Sequence, residues 1–524
     1  MRFLPVSPRC LLIELRDLEA TLALFDALAD DPVAGVSETV PAARTLMIRT
    51  APGVSADRDL ALAILNRQPP PGTRPASRAV ETVELPVTYD GQDLDDVARH
   101  MDLTVAEVAA AHQAVTWQVA FCGFAPGFAY MTCEDARFDL PRRPAPRTRI
   151  PAGSVALAGR FCGIYPQETP GGWQLIGHTR VPMWDLSRDP PALLRPGARV
   201  HFAKGGGAVH PVAVVPRSPA RGLRVLASAF PILLQDRGRS GQAGQGVSAS
   251  GALDQGALSR ANRAVGNPAG AAAMEITLGP TRLLAEVPLT LALSGAAQAV
   301  VVHPDGCTAI PLGAAFALDA GDQVEIAPPA RGMRSYLALR GGFDVAPVLG
   351  SASTDTLAHV GPPALAVGDA LAPAHRPATA VTEPAPAPAL PAPGDVVTLP
   401  VTLGPRTDWF TDEMVAQFLS QEWQVTAQSS RVGIRLAGEP VTRTDATELP
   451  SEGTETGAIQ IPHSGQPVLF LADHPLTGGY PVIATLDPSA LDLAGQIPPG
   501  ARIRFAAAAP FAPILPEGRH DALS

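Results

Sequence analysis

A chain of 524 residues exceeds what one hydrophobic core organises, so several domains are expected. With 46% apolar and 17% charged residues it reads as globular rather than disordered. A formal net charge of −10 excludes attraction to nucleic acid or an anionic membrane by bulk field, and points to small molecules or other proteins as partners.

The N-terminal MRFLPVSPRCLLIEL lacks a basic segment followed by a long apolar run. No signal peptide is read there, and the cytoplasm is the expected location. No run of about twenty apolar residues marks a membrane span. Residues 1–80 read as a small α/β domain: a strand-like CLLIEL, then Leu18, Leu22, Phe25 and Leu28 at helical spacing. In 81–210, Thr104 and Glu107 form a capping box that opens a helix running through His112. The short runs GSVALAG, WQLIG and ARVHF, separated by Gly and Pro, have the pattern of a barrel or sandwich. GGAVHPVAVVPRSPARG, 206–222, reads as a junction. The next unit, 222–375, holds the strand-like SYLALRGG and a helix capped by Asp254. Leu258, Ala261 and Val265 give that helix its buried face, and Gly266-Asn267 ends it. Segment 376–396 is a Pro/Ala linker with little to pack, and 397–515 is a second β-rich domain.

An ordered repeat joins the halves. WQV at Trp117–Val119 recurs at Trp423–Val425, and Gly153-Ser-Val matches Gly457-Ala-Ile. Pro170-Gly-Gly-Trp-Gln-Leu-Ile-Gly matches Thr477-Gly-Gly-Tyr-Pro-Val-Ile-Ala, and PGARVHF matches PGARIRF. Matches kept in one order argue for a duplicated β-rich domain.

Three stretches could carry chemistry. FCGFAPGFAYM, 121–131, sets Gly123 and Gly127 beside Phe124, Phe128 and Tyr130. The glycines permit close backbone approach, and the aromatics alternate as on a strand leaving a Pro-Gly turn. This is a packed corner or a pocket wall. Cys122 lacks the histidine that would activate a thiolate. QDRGRSGQAGQGVSASGALDQ, 235–255, leads a glycine-rich loop into a helix N-terminus, with Arg237 and Arg239 as cationic forks. It is an anion site or an ordinary capped helix. Ser250 breaks the GxSxG pattern, so no hydrolase elbow is read. In 449–486, Glu452 and Asp473 sit at strand ends with Gln460 between them. Two carboxylates could hold Mg²⁺ or act as a base, or simply be solvated.

Residue counts narrow the chemistry. Lys204 is the single lysine, which excludes a Walker A loop. Lys204 also lacks the flanking methionines of a biotin carrier, so no biotin is attached to this chain. Five cysteines without CxxC, and histidines without HxH or HxxxH, give neither a disulfide framework nor a zinc site.

GFAPGFAYM, PRRPAPRTRIPAGSVALAG and GIYPQETPGGWQLIGHT resemble the B-type component of bacterial 5-oxoprolinase. That family includes allophanate hydrolase subunit 1 and a sporulation kinase inhibitor. QDRGRSG, GVSASGALD, ANRAVGNPAGAAAMEITLGP and SEGTETGAIQIPHSGQPVLFLAD resemble the C-type component, allophanate hydrolase subunit 2. The chain thus resembles a B–C fusion, and both halves resemble the carboxyltransferase region of urea carboxylase. The resemblance implies an α+β, β-rich fold with two cyclophilin-like β-barrel domains in tandem halves plus smaller α/β domains. It implies ATP-dependent opening of a lactam or amide C–N bond, with ATP and Mg²⁺ as cofactors and a separate A-type subunit as partner. The alternatives are a biotin-dependent carboxyltransferase component and a kinase-inhibiting binding protein.

The resemblance places Asp236, Glu452 and Asp473 in base or metal roles. It places Gly127, Phe128, Tyr130, Gln174, His178, Arg239, Asp254, Gln428, Arg431 and Gln460 in substrate or nucleotide binding. The family pattern has arginine where this chain has His178, Ala352 and His474. It has Asp-Arg-Met-Gly where this chain has Ser430-Arg431-Val432-Gly433. The lost charge points to a substrate that differs from 5-oxoproline, with Arg180 compensating in part.

Overall fold

Strict alternation in VVTLPVTL sends Val397, Leu399, Val401 and Leu403 inward and the residues between them outward. That strand belongs to one of two seven-stranded barrels in a computed structural model. The structure describes residues 1–70, 72–73, 81–143, 145, 147–205, 221–383, 386–445, 447 and 449–516. The junction read at 206–222 falls, up to residue 220, outside the described residues.

The first barrel is built from β1 (Thr82–Val87), β2 (Trp117–Cys122), β3 (Ala129–Thr132), β4 (Ser154–Ala158), β5 (Phe161–Ile164), β6 (Gln174–His178) and β7 (Arg199–Lys204). Its order is β6-β4-β5-β3-β2-β7-β1, and a single bridge, Thr88 to His178, brings the ends together. The second is built from β8 (Val396–Leu403), β9 (Trp423–Val425), β10 (Gly433–Ala437), β11 (Ala458–Gln460), β12 (Val468–Phe470), β13 (Val482–Leu486) and β14 (Arg502–Ala507). It closes in the order β8-β13-β11-β12-β10-β9-β14. Adding seven to each first-barrel label reproduces the second barrel's cyclic order. In both, the first and last strands pair in parallel.

The repeat extends to single bonds. Trp117 and Trp423 are fully buried, and each indole N–H donates to a carbonyl five residues back, His112 at 3.2 Å and Phe418 at 3.0 Å. Each barrel also carries a two-stranded flap. Arg147–Ile150 pairs with Thr169–Gly171 in the first half, and Glu452–Gly453 with Thr477–Gly478 in the second.

Outside the barrels, a four-stranded antiparallel sheet opens the chain and packs helices Leu18–Asp30 and Arg58–Leu65. Leu18, Leu24 and Leu28 form the buried stripe of the first helix, while Leu22 and Phe25 are half-buried beside it. Thr104 and Glu107 form the capping box of helix Val105–Ala114. Asp254 caps helix Gln255–Ala264, which lies against a five-stranded sheet; a six-stranded sheet completes this unit, whose strands run from Leu223 to Leu371. The Pro/Ala segment packs more than its composition suggests. Thr379 N–H donates to Gly266 O at 2.8 Å, and Gly332 N–H donates to Pro391 O at 2.7 Å. Backbone carbonyls of a proline-rich strand remain good acceptors, so low side-chain content does not leave it free.

The halves interdigitate. Ile514 returns to pair with Phe3, and the ion pairs Arg406–Glu14, Arg49–Glu455 and Arg2–Asp408 cross between them. Among the described residues no helix is long and apolar enough to cross a membrane.

Candidate active site at the seam between the halves

The stretch 121–131 is a corner where one half docks on the other. β2 ends at Cys122 and β3 begins at Ala129. Phe124 lies in the turn between them at φ +66, not on a strand as its alternation suggests. A non-glycine residue in the left-handed region needs outside support. Phe124 N–H donates to Thr477 Oγ1 at 3.0 Å, and Gly127 N–H donates to Gln245 O at 2.9 Å. Both acceptors belong to the second half. Gly123 has no side chain because Thr477 is there: a Cβ would sit 2.4 Å from Thr477 Oγ1. Gly246 mirrors it, since its Cβ would lie 2.6 Å from Ala125 O.

Behind the corner stands a box of aromatic rings. Phe121 stacks on Tyr130 with centroids 4.4 Å apart, and Phe128 meets Tyr165 and Trp173 edge-on at 5.3 and 5.4 Å. Tyr130 is its polar end. Its hydroxyl lies against Ser451 and Thr477 of the second half, and burial pushes its pKa up, so the phenol remains a donor. Gln174 is half-buried: its Nε2 donates to Pro141 O at 3.2 Å, and Oε1 has no partner among the described residues. His178 stands at the closure of the first barrel, with Nδ1 2.8 Å from Asp90 Oδ1.

In the second half a buried polar network occupies most of the singled-out residues. Asp236 accepts from Ser351 Oγ and Ser353 Oγ at 2.6 Å, Ala352 N–H at 2.7 Å and Gly238 N–H at 2.8 Å. Four donors make it a loop clamp. Asp473 accepts from Ser250 Oγ at 2.6 Å, Thr356 Oγ1 at 2.7 Å and both Nε and Nη2 of Arg431 at 2.9 Å. Burial works to raise its pKa, but Arg431 and the hydroxyls overcome this and lower it. Arg431 also pairs with Glu275 and donates to Gly251 O at 2.6 Å. It is a charge hub with no fork left for a ligand.

Arg239 differs. It is buried, its Nη2 donates to Ser353 O, and its Nη1 has no partner among the described residues. Glu452 pairs through two bonds with Arg406, yet burial keeps its pKa above the ordinary value. Asp254 caps its helix and accepts from Gln496 Nε2 at 2.8 Å. Gln460 is buried with an unpartnered Nε2, and Gln428 is exposed. Among the described residues no three His, Cys, Asp or Glu side chains are grouped to hold a metal ion.

Sequence reasoning gave no site role to Thr477, Ser451, Ser250, Thr356 or Asp355. Asp355 accepts from Ser248 Oγ at 2.9 Å, and burial with Asp473 nearby pushes its pKa to about 6. Nothing local in the sequence marks these positions, because their partners lie more than a hundred residues away.

Two buried histidines give the fold an acid-labile component. Burial lowers His474 to about 4 and His112 to about 3. Below the ordinary value of about 6.5 the unfolded chain binds protons that the folded chain refuses. Stability therefore falls as pH drops from 6.5 towards 4, by about 3 kcal/mol for His474 alone. Asp355 opposes this in part, because the folded state binds its proton first. Thermal melts between pH 7 and 4 will show a smaller loss in His474→Phe than in the native chain. An equal loss in both would contradict the assignment.

The chain is similar to known proteins in both halves. Residues 1–194 match the family model "Carboxyltransferase domain, subdomain C and D", and residues 245–507 match "subdomain A and B". The chain is 37% identical to the C-type 5-oxoprolinase component of Escherichia coli K12 over 286 residues, 54% of this chain and 90% of that one. It is 47% identical to the B-type 5-oxoprolinase component of Escherichia coli O157:H7 over 123 residues, 23% of this chain and 56% of that one. The crystal structure of TTHA0988 superposes with a TM-score of 0.82 at 34% identity, covering 95% of this chain and 99% of that one. The chain belongs to the carboxyltransferase-domain family, and carries on one polypeptide the relatives of the B-type and C-type components of 5-oxoprolinase.

Proposed function

We propose that the chain is the fused B–C component of an ATP-dependent, 5-oxoprolinase-like amidohydrolase that opens a lactam or amide C–N bond together with a separate A-type subunit. The observation that carries this reading is the seam. The B-like half presents Tyr130 and the strained Phe124 turn directly to Thr477 and Ser451 of the C-like half. A lactam is a poor electrophile, and ATP supplies the phosphoryl group that turns its oxygen into a leaving group. The residues of this chain bind and orient the substrate and keep stray water out. Arg239, with an unpartnered Nη1, suits a phosphate or carboxylate, whereas Arg431 is consumed by Asp473 and Glu275. Tyr130 offers a hydrogen bond to a developing oxyanion.

The test is release of glutamate from 5-oxoproline by the purified chain with Mg²⁺ and ATP, with and without the A-type subunit from the same genome. Turnover that needs both supports the reading. No turnover from a stable complex sinks it. The family description favours a second reading, a carboxyltransferase component. Transfer of the carboxyl group from carboxybiotin to an amide nitrogen, without ATP, would establish that instead.

A further inference from the structure

Where the Pro/Ala segment begins, it helps to form an open basin on the unit before it. Arg376 N–H donates to Gly341 O at 3.0 Å and Ala374 N–H donates to Gly342 O at 2.9 Å. Residues 374–376 therefore lie along the glycine pair that follows strand Arg334–Leu339. The approach is close: a Cβ at Gly341, φ +77, would sit 3.2 Å from Arg376 O. Between Ala374 and Arg376, His375 holds φ +52, in the left-handed region that residues other than glycine rarely take. The basin has a volume of about 340 Å³, within the range of small-molecule sites.

Its charged groups are of one sign. Arg340, His375 and Arg376 line it, and no Asp or Glu does, in a chain whose net charge is −10. Arg340 is fixed in place, with Nη1 donating to Val265 O at 2.7 Å and to Thr379 O at 2.8 Å. Its Nε and Nη2 have no partner among the described residues. Arg376 is exposed, and its guanidinium makes no hydrogen bond or ion pair among the described residues. A lone exposed arginine is ordinarily solvated. Here a second guanidinium, pinned by two carbonyls, shares the basin, and no carboxylate relieves the repulsion between them. Pro288, Pro373 and Ala378 add an apolar wall. None of these residues belongs to the seam or to the network around Asp473.

We propose that this basin binds a phosphate monoester. Nε and Nη2 of Arg340 and the guanidinium of Arg376 take its phosphoryl oxygens, and its organic body lies against Pro288, Pro373 and Ala378. A phosphate dianion has three terminal oxygens and can engage two guanidinium forks, whereas a carboxylate fills one. The proposal does not depend on the amidohydrolase reading.

The test is calorimetric titration of the full chain at low salt with phenyl phosphate, inorganic phosphate and benzoate. It uses neither ATP nor an A-type subunit, so a failed turnover assay leaves it informative. Saturable binding of phenyl phosphate is expected. Inorganic phosphate, which cannot use the apolar wall, and benzoate, which fills one fork, bind more weakly. Arg376→Ala weakens phenyl phosphate tenfold to about a hundredfold and melts with the native chain, because the side chain is exposed and supports nothing. No saturable binding of phenyl phosphate overturns the proposal. So does undiminished binding by Arg376→Ala, or binding of inorganic phosphate or benzoate as tight as that of phenyl phosphate.

Discussion

Replacing Arg431 with alanine will destabilise the folded chain by about 3–5 kcal/mol. The guanidinium is buried and holds two buried carboxylates, Asp473 and Glu275, as well as Gly251 O. Glu275 in turn accepts from Tyr336 Oη at 2.7 Å, and Tyr336 Oη accepts from Asp254 N–H at 2.9 Å. Arg431 thus ties the second barrel to the helix and sheets before it. Its removal leaves two charges facing each other without water. Acid will soften the loss, because a protonated carboxyl no longer needs a cation. Urea unfolding at neutral pH measures the effect. A change below about 1 kcal/mol would show that Asp473 and Glu275 find other partners.

On the amidohydrolase function proposed above, Gly123→Val will cost roughly a hundredfold in turnover while both barrels stay folded. The first added carbon already lies 2.4 Å from Thr477 Oγ1 and 2.7 Å from its Cγ2. Thr477 is buried and β-branched, so it has little rotamer freedom with which to yield. The corner must lift off the second half, and the bond that holds Phe124 at φ +66 goes with it. The overpacking itself costs about 1–3 kcal/mol, far less than unfolding a barrel. Turnover with the A-type subunit, read beside near-UV circular dichroism, separates the two effects. Native turnover in the variant would remove the seam from the chemistry.

The features legible in the sequence are those set by neighbours along the chain. Asp254 caps its helix because the caps of helices are local, and Thr104 with Glu107 is read the same way. The duplication was legible because each barrel reuses a buried Trp and a Gly-Gly pair at the end of its flap strand at matching places. The seam was not. Phe124 and Thr477 are 353 residues apart, and Arg431 reaches Glu275 across 156. No periodicity records such a pairing. The same gap made Asp236 and Asp473 look like free carboxylates, when serines, threonines and an arginine already occupy them. The aromatic alternation at 124, 128 and 130 misled for a related reason. The turn that breaks it is held open by a hydroxyl from the other half.

The sharpest experiment on ATP-dependent amide opening follows the oxygen atom. 5-Oxoproline carrying isotopically labelled oxygen in its ring carbonyl would be incubated with ATP, the chain and the A-type subunit proposed as its partner. The inorganic phosphate would then be examined by mass spectrometry. Activation of the amide oxygen predicts that the label passes from lactam to phosphate in every turnover, and only when this chain is present. Unlabelled phosphate, or product formation that depends on bicarbonate and biotin instead of ATP, would contradict it.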